Sequence, residues 1–80
     1  MAWYVYILEC SDMTYYTGIT TNIERRVSEH ETGVGAKYTR GRGPLRLVYS
    51  EETADRSSAT KREIEIKSLS KEKKLSLIGV

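Results

Sequence analysis

The sequence is poor in the features that characterise secreted and membrane proteins. Its only cysteine is Cys10, which excludes an internal disulfide framework. No apolar run approaches the roughly 20 residues needed to cross a bilayer, and the opening MAWY does not resemble a signal peptide. We therefore expect a soluble intracellular protein, located in the cytoplasm, that has no membrane partner.

The chain is also short, and it contains no phenylalanine. Its 80 residues form one domain, spanning residues 1–80, because there is no room for a second core. The aromatic residues are six tyrosines and one tryptophan. A tyrosine brings an apolar ring together with a phenol that needs a hydrogen-bond partner. The core must therefore accommodate polar groups.

The charge is nearly balanced overall but unevenly distributed. The net charge is +2, yet the segment from Gly33 to Arg46 has four cations and no acid, so the rest of the chain sums to −2. The four cations are Lys37, Arg40, Arg42 and Arg46. Such a segment is typical of a local anion site, and also of a solvated basic loop.

The first half of the chain predicts a β-hairpin followed by a helix. The aromatic and β-branched runs at 3–8 and 15–20 are typical of strands, and residues 11–14 form the turn. Thr21, with Glu24 three residues later, has capping-box spacing and predicts the helix start. Gly33 ends the helix where a left-handed residue is favoured.

The second half predicts a strand and two helices. Residues 33–44 hold four of the six glycines and the only proline, which indicates a loop. Residues 45–50 alternate as a strand does, with Leu45 and Leu47 on one face. Asp55 or Ser57 caps the next helix, and Ser70 starts the last. The predicted fold class is α+β: a small three-stranded sheet flanked by helices, in the order β-β-α-β-α-α.

Three charged or titratable residues interrupt the apolar faces of the predicted helices. Arg26 and His30 share a face of the first helix with apolar neighbours, and Glu63 shares a face of the second. Charges there are costly unless they are paired or bound to something. One interpretation is a partly buried Arg26–Glu63 ion pair beside a core histidine; the other is a functional site.

Several short motifs follow one another in a recognisable order. They are Tyr4-Val5-Tyr6, Tyr16-Thr17-Gly18, Asn22-Ile23-Glu24-Arg25-Arg26, His30, the loop Gly35-Ala36-Lys37-Tyr38-Thr39-Arg40-Gly41, and Glu63. This succession resembles the GIY-YIG nuclease superfamily over nearly the whole chain, and above all its small single-domain bacterial members. The first motif departs from the family pattern, with Tyr4 where glycine is usual.

The resemblance implies a small mixed sheet flanked by helices and metal-dependent hydrolysis of nucleic-acid phosphodiesters. By motif, Tyr6 and Tyr16 would be paired active-site tyrosines, Arg26 the helix arginine, and His30 the residue one turn beyond it. Glu63 would be the metal ligand, holding one Mg²⁺ or Mn²⁺ ion. These positions include the three charged or titratable residues that interrupt the apolar faces of the predicted helices. Which tyrosine would act as the base stays open.

We expect a monomeric endonuclease that binds backbone phosphates, of DNA more than of RNA. It should recognise the shape of the nucleic acid rather than its base sequence. The predicted contacts are Lys37, Tyr38, Arg40, Arg42 and Arg46. DNA repair or turnover is the expected setting. A nucleic-acid-binding module without turnover is the main alternative, and a purely structural domain is the third.

The shared position of the two tyrosines predicts the length of the hairpin connection. Side chains alternate along a strand, and cross-strand partners share a face. Tyr6 and Tyr16 can therefore share a site only if the connection has an odd number of residues, such as residues 11–13, or an equivalent bulge.

Overall fold

The structure, a computed structural model, describes residues 2–35 and 39–79. Its six elements are β1 (Trp3–Glu9), β2 (Tyr15–Thr20), α1 (Ile23–Glu31), β3 (Arg46–Thr53), α2 (Arg56–Lys67) and α3 (Lys71–Ile78). The predicted order β-β-α-β-α-α is confirmed. None of the helices in these two ranges is long and apolar enough to span a membrane.

The sheet has the strand order β2-β1-β3, and both strand pairs are antiparallel. The expected mixed sheet is therefore wrong. β2 and β3 do run parallel to each other, as strands joined through a helix commonly do. Because β1 lies between them, they never pair directly, and every ladder in the sheet is antiparallel.

The hairpin connection places Tyr6 and Tyr16 on the same face. Cys10 N–H bonds to Thr14 O at 2.8 Å, and Met13 N–H bonds to Cys10 O at 3.0 Å, so the loop is residues 11–13. Met13 closes this loop with φ of 66°, as in a three-residue hairpin loop whose last residue is left-handed. The predicted odd connection is confirmed.

Two apolar clusters form, one on each face of the sheet. On one face, Val5 and Ile7 pack against Ala59 and Ile66 of α2. On the other face, the buried residues are Tyr6, Leu8, Cys10 and Leu45, and Tyr16 and Val27 pack against them. Because α1 and α2 cover opposite faces, the central strand β1 is buried on both sides through residues 5–8.

The third strand differs from its predicted form. It spans Arg46–Thr53 rather than residues 45–50, and a bulge interrupts its pairing with β1. Ile7 pairs with Tyr49 and Leu8 with Leu47, which leaves Val48 without a partner in the ladder. The extra residue shifts the alternation. Val48 therefore packs against the core, whereas Leu47 remains 41% exposed.

Short polar side chains cap the helices. Asn22, not the predicted Thr21, caps α1, where its side chain accepts a hydrogen bond from Arg25 N–H at 3.0 Å. Asp55, one of the two candidates, caps α2, and Ser70 caps α3 as predicted. Gly33 follows the last turn of α1 with φ of 84°, in the left-handed region that was expected.

Candidate active site

Tyr6 lies at the centre of β1 with its side chain almost fully enclosed. It is 1% exposed, and its phenol oxygen lies 2.8 Å from Nε2 of His30. Two parts of the chain far apart in sequence, the first strand and the last turn of α1, are thereby joined through a buried polar contact. A phenol inside a core needs such a partner.

His30 continues this contact toward the loop after α1. Its Nδ1 lies 2.8 Å from Oγ1 of Thr39, so Tyr6, His30 and Thr39 form a continuous hydrogen-bonded chain. A Cβ at Gly35 would lie 2.4 Å from Nδ1 of His30, so only glycine fits beside the imidazole. Sequence reasoning missed Thr39, although it stands inside the loop motif that carried the family resemblance.

Gly18 provides the space into which the Tyr6 phenol fits. Tyr6 pairs with Gly18 across the β1–β2 ladder. A Cβ at Gly18 would lie 2.6 Å from the phenol oxygen of Tyr6 and 3.0 Å from Cε2 of Tyr16. The glycine is required here by close packing, not by an unusual backbone angle. Its place in the motif Tyr16-Thr17-Gly18 is explained by this packing.

Tyr16 completes an aromatic group with Tyr6 and His30. Its ring centroid is 5.1 Å from that of His30 and 6.4 Å from that of Tyr6, both in tilted arrangements. These are the separations at which aromatic pairs attract each other. The structure thus brings together three of the five predicted catalytic residues on one face of the sheet.

Arg26 lies beside this group, on the same helix as His30. Its guanidinium is near enough to the Tyr6 phenol to act on the pKa of that group, and its Nη1 lies 3.0 Å from Oε1 of Glu29. The ion pair with Glu29 follows from the three-residue spacing on α1. Arg26 is therefore held in place while part of its side chain stays open to solvent.

Burial and neighbouring charges determine the protonation of Tyr6 and His30. Burial, the nearby Tyr16 and the charge of Glu63 raise the pKa of Tyr6 to about 12, against the opposing effect of Arg26. Burial, together with the positive charge of Arg26, lowers the pKa of His30, and Glu29 opposes that shift weakly. At pH 7 both side chains are therefore neutral.

Glu63 approaches from α2, which covers the opposite face of the sheet. Its side chain is 20% exposed, and Oε2 lies 3.4 Å from Nζ of Lys67. The alternative interpretation, an Arg26–Glu63 ion pair, is wrong, because Arg26 pairs with Glu29 and Glu63 with Lys67, each along its own helix. The charge of Glu63 nevertheless reaches the Tyr6 phenol and acts on its pKa.

Glu63 is the carboxylate that the resemblance assigns to a metal ion, and the chemistry of its surroundings limits which ion would fit. Within residues 2–35 and 39–79, no group of three or more His, Cys, Asp or Glu side chains comes together. A Zn²⁺ site of protein ligands alone therefore does not fit these residues. One carboxylate does suit Mg²⁺, which keeps several waters and takes phosphate oxygens from a substrate.

The basic segment is more neutralised than its sequence suggests. Arg42 forms an ion pair with Asp12, and Nη2 of Arg46 lies 3.0 Å from Oε1 of Glu9. Both acids come from the hairpin, so the segment's lack of acids does not leave its charge uncompensated. Arg40 is exposed. Lys37 and Tyr38 lie outside the described residues.

Comparison with known proteins shows the family of this chain. A family model described as the GIY-YIG catalytic domain matches residues 2–76. The chain belongs to the GIY-YIG family. In this GIY-YIG chain the two motifs meet at one cross-strand pair, Tyr6 opposite Gly18.

The relatives of this GIY-YIG chain are small proteins of similar length. A UPF0213 protein of Natronomonas pharaonis is 60% identical over 95% of this chain and 89% of its own length. A UPF0213 protein of Desulfotalea psychrophila is 56% identical, over 96% of this chain and 71% of its own.

Two solution NMR structures have the same fold. One is of a UPF0213 protein of Bacillus halodurans, with TM-score 0.63, 51% identity, and coverage of 98% of this chain and 83% of that one. The other is of an E. faecalis protein, with TM-score 0.65, 42% identity, and coverage of 96% and 83%.

Proposed function

We propose that this protein is a divalent-metal-dependent endonuclease that hydrolyses phosphodiester bonds of nucleic acid in the cytoplasm. Branched or nicked DNA is its proposed substrate, in repair or turnover, and it acts as a monomer. The observation that carries the proposal is the buried chain from Tyr6 through His30 to Thr39, beside Arg26 and Glu63. Burial alone would require one hydrogen-bond partner for the phenol, whereas His30 bonds to it and the charges of Arg26 and Glu63 also act on its pKa.

Tyr6 is suited to move a proton away from an attacking water. With a pKa of about 12, its phenol does not ionise at pH 7. In one tautomer, Tyr6 donates to Nε2 of His30 while Nδ1–H donates to Thr39. When the phenol oxygen accepts a proton from water, its own proton can pass to the neutral His30. Tyrosine alone is a weak base at neutral pH. Because the proton passes on to His30, no free phenolate has to form.

Arg26 and Glu63 supply the charges that phosphodiester hydrolysis requires. The guanidinium of Arg26 matches the geometry of non-bridging phosphate oxygens and can stabilise the charge that grows on them. Glu63 would hold one Mg²⁺ or Mn²⁺ ion. When bound, such an ion polarises a phosphoryl oxygen and stabilises the leaving oxygen.

A binding module without turnover is the second candidate function. The ammonium of Lys67, 3.4 Å from Oε2 of Glu63, occupies one side of the only carboxylate assigned to the metal. A metal ion must therefore compete with Lys67.

Whether the protein is an endonuclease or a binding module, Arg40, Lys37 and Tyr38 remain proposed contacts to the nucleic-acid backbone. Arg42 and Arg46 would have to leave their acid partners to join them.

The first prediction separates these two candidates. The parent should cleave branched or nicked DNA in Mg²⁺ or Mn²⁺ and not in EDTA. Glu63→Gln should lower that rate about 100-fold or more, since the ion stabilises charge in the transition state. The free energy of unfolding should change by less than about 1 kcal/mol, because the pair with Lys67 is partly exposed. Gel assays and urea denaturation measure the two effects.

Glu65→Gln is the matched control, because Glu65 lies on the same helix and is exposed. It should leave the cleavage rate unchanged. Equal losses in both variants, or cleavage that survives EDTA, would contradict the assigned role of Glu63. Salt-sensitive binding of DNA and RNA with no cleavage in either metal would favour the binding module.

A further inference from the structure

The structure has clefts at both ends of β2. At the N-terminal end, a cleft of about 340 Å³ is lined by residues 15–17 of β2 with Lys67 and Lys74. It shares Tyr15 and Lys74 with a neighbouring cleft of about 260 Å³, which adds Lys71. These two clefts form one groove, here called the lysine groove.

The cleft at the other end of β2 is rich in arginine. It measures about 300 Å³ and is lined by Trp3, residues 19–21, Arg25, Arg26, Glu29 and Arg56. The guanidinium of Arg56 stacks 5.7 Å from the ring centre of Trp3, and Arg26 is paired with Glu29. This arginine cleft therefore keeps an excess of positive charge.

The lysine groove and the arginine cleft both lie over the free edge of the sheet. β2 is an edge strand, and consecutive side chains of a strand point to opposite faces. Each cleft is lined by neighbouring β2 residues, whose side chains alternate between the two faces of the sheet, and this places both clefts at the edge strand. Gly18, the one β2 residue between the two sets, stands beside the Tyr6 phenol.

α2 runs along the same edge in the opposite direction. Its first residue, Arg56, lines the arginine cleft, and its last, Lys67, lines the lysine groove. The helix is about 16 Å long and β2 about 17 Å, so the two elements match in length. Glu63 is one turn before Lys67, and therefore lies between the two clefts.

We propose that one strand of a nucleic acid runs along the β2 edge, with its phosphates held by the lysine groove on one side of the candidate site and by the arginine cleft on the other. This rests on the proposed function. Each cleft contains a site residue, Tyr16 in the lysine groove and Arg26 in the arginine cleft. A polyanion that fills both must therefore cross the site at Gly18.

The experiment measures binding without turnover. Every variant is made in the Glu63→Gln background and kept in EDTA, and anisotropy follows a fluorescein-labelled 20-nucleotide DNA, single-stranded or duplex, between 50 and 200 mM salt. The test pairs are Lys71→Gln with Lys74→Gln, and Arg25→Gln with Arg56→Gln. Lys61→Gln with Lys73→Gln is the matched control, since these lysines are exposed on α2 and α3 and line neither cleft.

Each test pair should flatten the slope of log affinity against log salt by about 1.4 for a single strand and about 1.8 for a duplex, the effect of two phosphate contacts. The control should leave the slope unchanged. The proposal is overturned if the Glu63→Gln protein binds neither DNA, if only one test pair changes the slope, or if the control changes it equally. Metal-dependent cleavage by the parent tests the proposed function separately, so either can fail alone.

Discussion

A single added methyl group at Gly18 would meet the phenol of Tyr6. Because that phenol is fixed by its hydrogen bond to His30 at 2.8 Å, it has little freedom to retreat. We predict that Gly18→Ala lowers the free energy of unfolding by roughly 1–3 kcal/mol, as overpacking does, and disrupts any activity that depends on Tyr6. Urea denaturation and cleavage assays measure the two effects.

Gly43→Ala is the control for this prediction. A Cβ at Gly43 would meet no atom of residues 2–35 or 39–79 within 4 Å, and its φ lies outside the left-handed region. Its effect should stay within about 0.5 kcal/mol. If the two variants lose the same stability, close packing at Gly18 is not the reason that glycine stands there.

Sequence reasoning at the residue scale named Tyr6, Tyr16, Arg26, His30 and Glu63 through motif order, and the structure places them in one region. Their catalytic roles stay predictions. What the motifs could not indicate is how these residues are held, because hydrogen bonds depend on where chain segments meet. The contact of His30 with Thr39 is one such case, and the pairing of Arg26 with Glu29 is another.

At the scale of elements, the hairpin carries a local strain. Met13 adopts φ of 66° although it is not glycine, and its side chain is 61% exposed. We predict that Met13→Gly raises the free energy of unfolding by up to about 1 kcal/mol. The left-handed conformation costs an ordinary residue about 1–2 kcal/mol, while glycine loses about 0.5–1 kcal/mol through chain entropy.

Met13→Ala serves as the comparison, since it removes the exposed side chain and keeps the strained backbone angle. Its unfolding free energy should stay near that of the parent in urea titrations. Equal stabilisation in both variants would mean that the methionine side chain, and not the backbone angle, is the source of the effect.

The basic segment shows the limit of element-scale prediction. Within residues 33–46 the charges add to +4, and this count is correct. The acids that neutralise two of them, Asp12 and Glu9, are 30 and 37 residues away in the chain. The loop folds against the hairpin and brings Arg42 to Asp12, while the pairing of β1 with β3 brings Arg46 to Glu9. A count within one segment therefore overstates its free charge.

At the scale of the whole molecule, the only histidine makes stability sensitive to acid. His30 has a lowered pKa in the folded protein, so the unfolded chain binds more protons as the pH falls below its reference pKa of about 6.5. We predict that the free energy of unfolding is independent of His30 above that pH and decreases below it, until the folded pKa is reached.

An NMR titration of the imidazole measures this pKa directly, since the chain has one histidine. His30→Gln should remove the decrease in stability between pH 6.5 and 5 while leaving the acid unfolding caused by carboxyl groups. A folded-state pKa at or above 6.5 would contradict the prediction, and one above 7 would also contradict the description of His30 as neutral at pH 7.

The odd hairpin loop was predicted from the requirement that Tyr6 and Tyr16 share a site. Local sequence patterns predicted the order of the elements and the cap at Ser70, and limited the cap of α2 to Asp55 or Ser57. These features depend on periodicity and turn chemistry within a few residues. Tertiary structure alone decided the all-antiparallel pairing, the bulge at Val48, and the ion pairs of the basic segment. It also placed Glu63 on α2, where its charge acts on the pKa of Tyr6. Such features arise where distant segments pack together, and no local pattern encodes that packing.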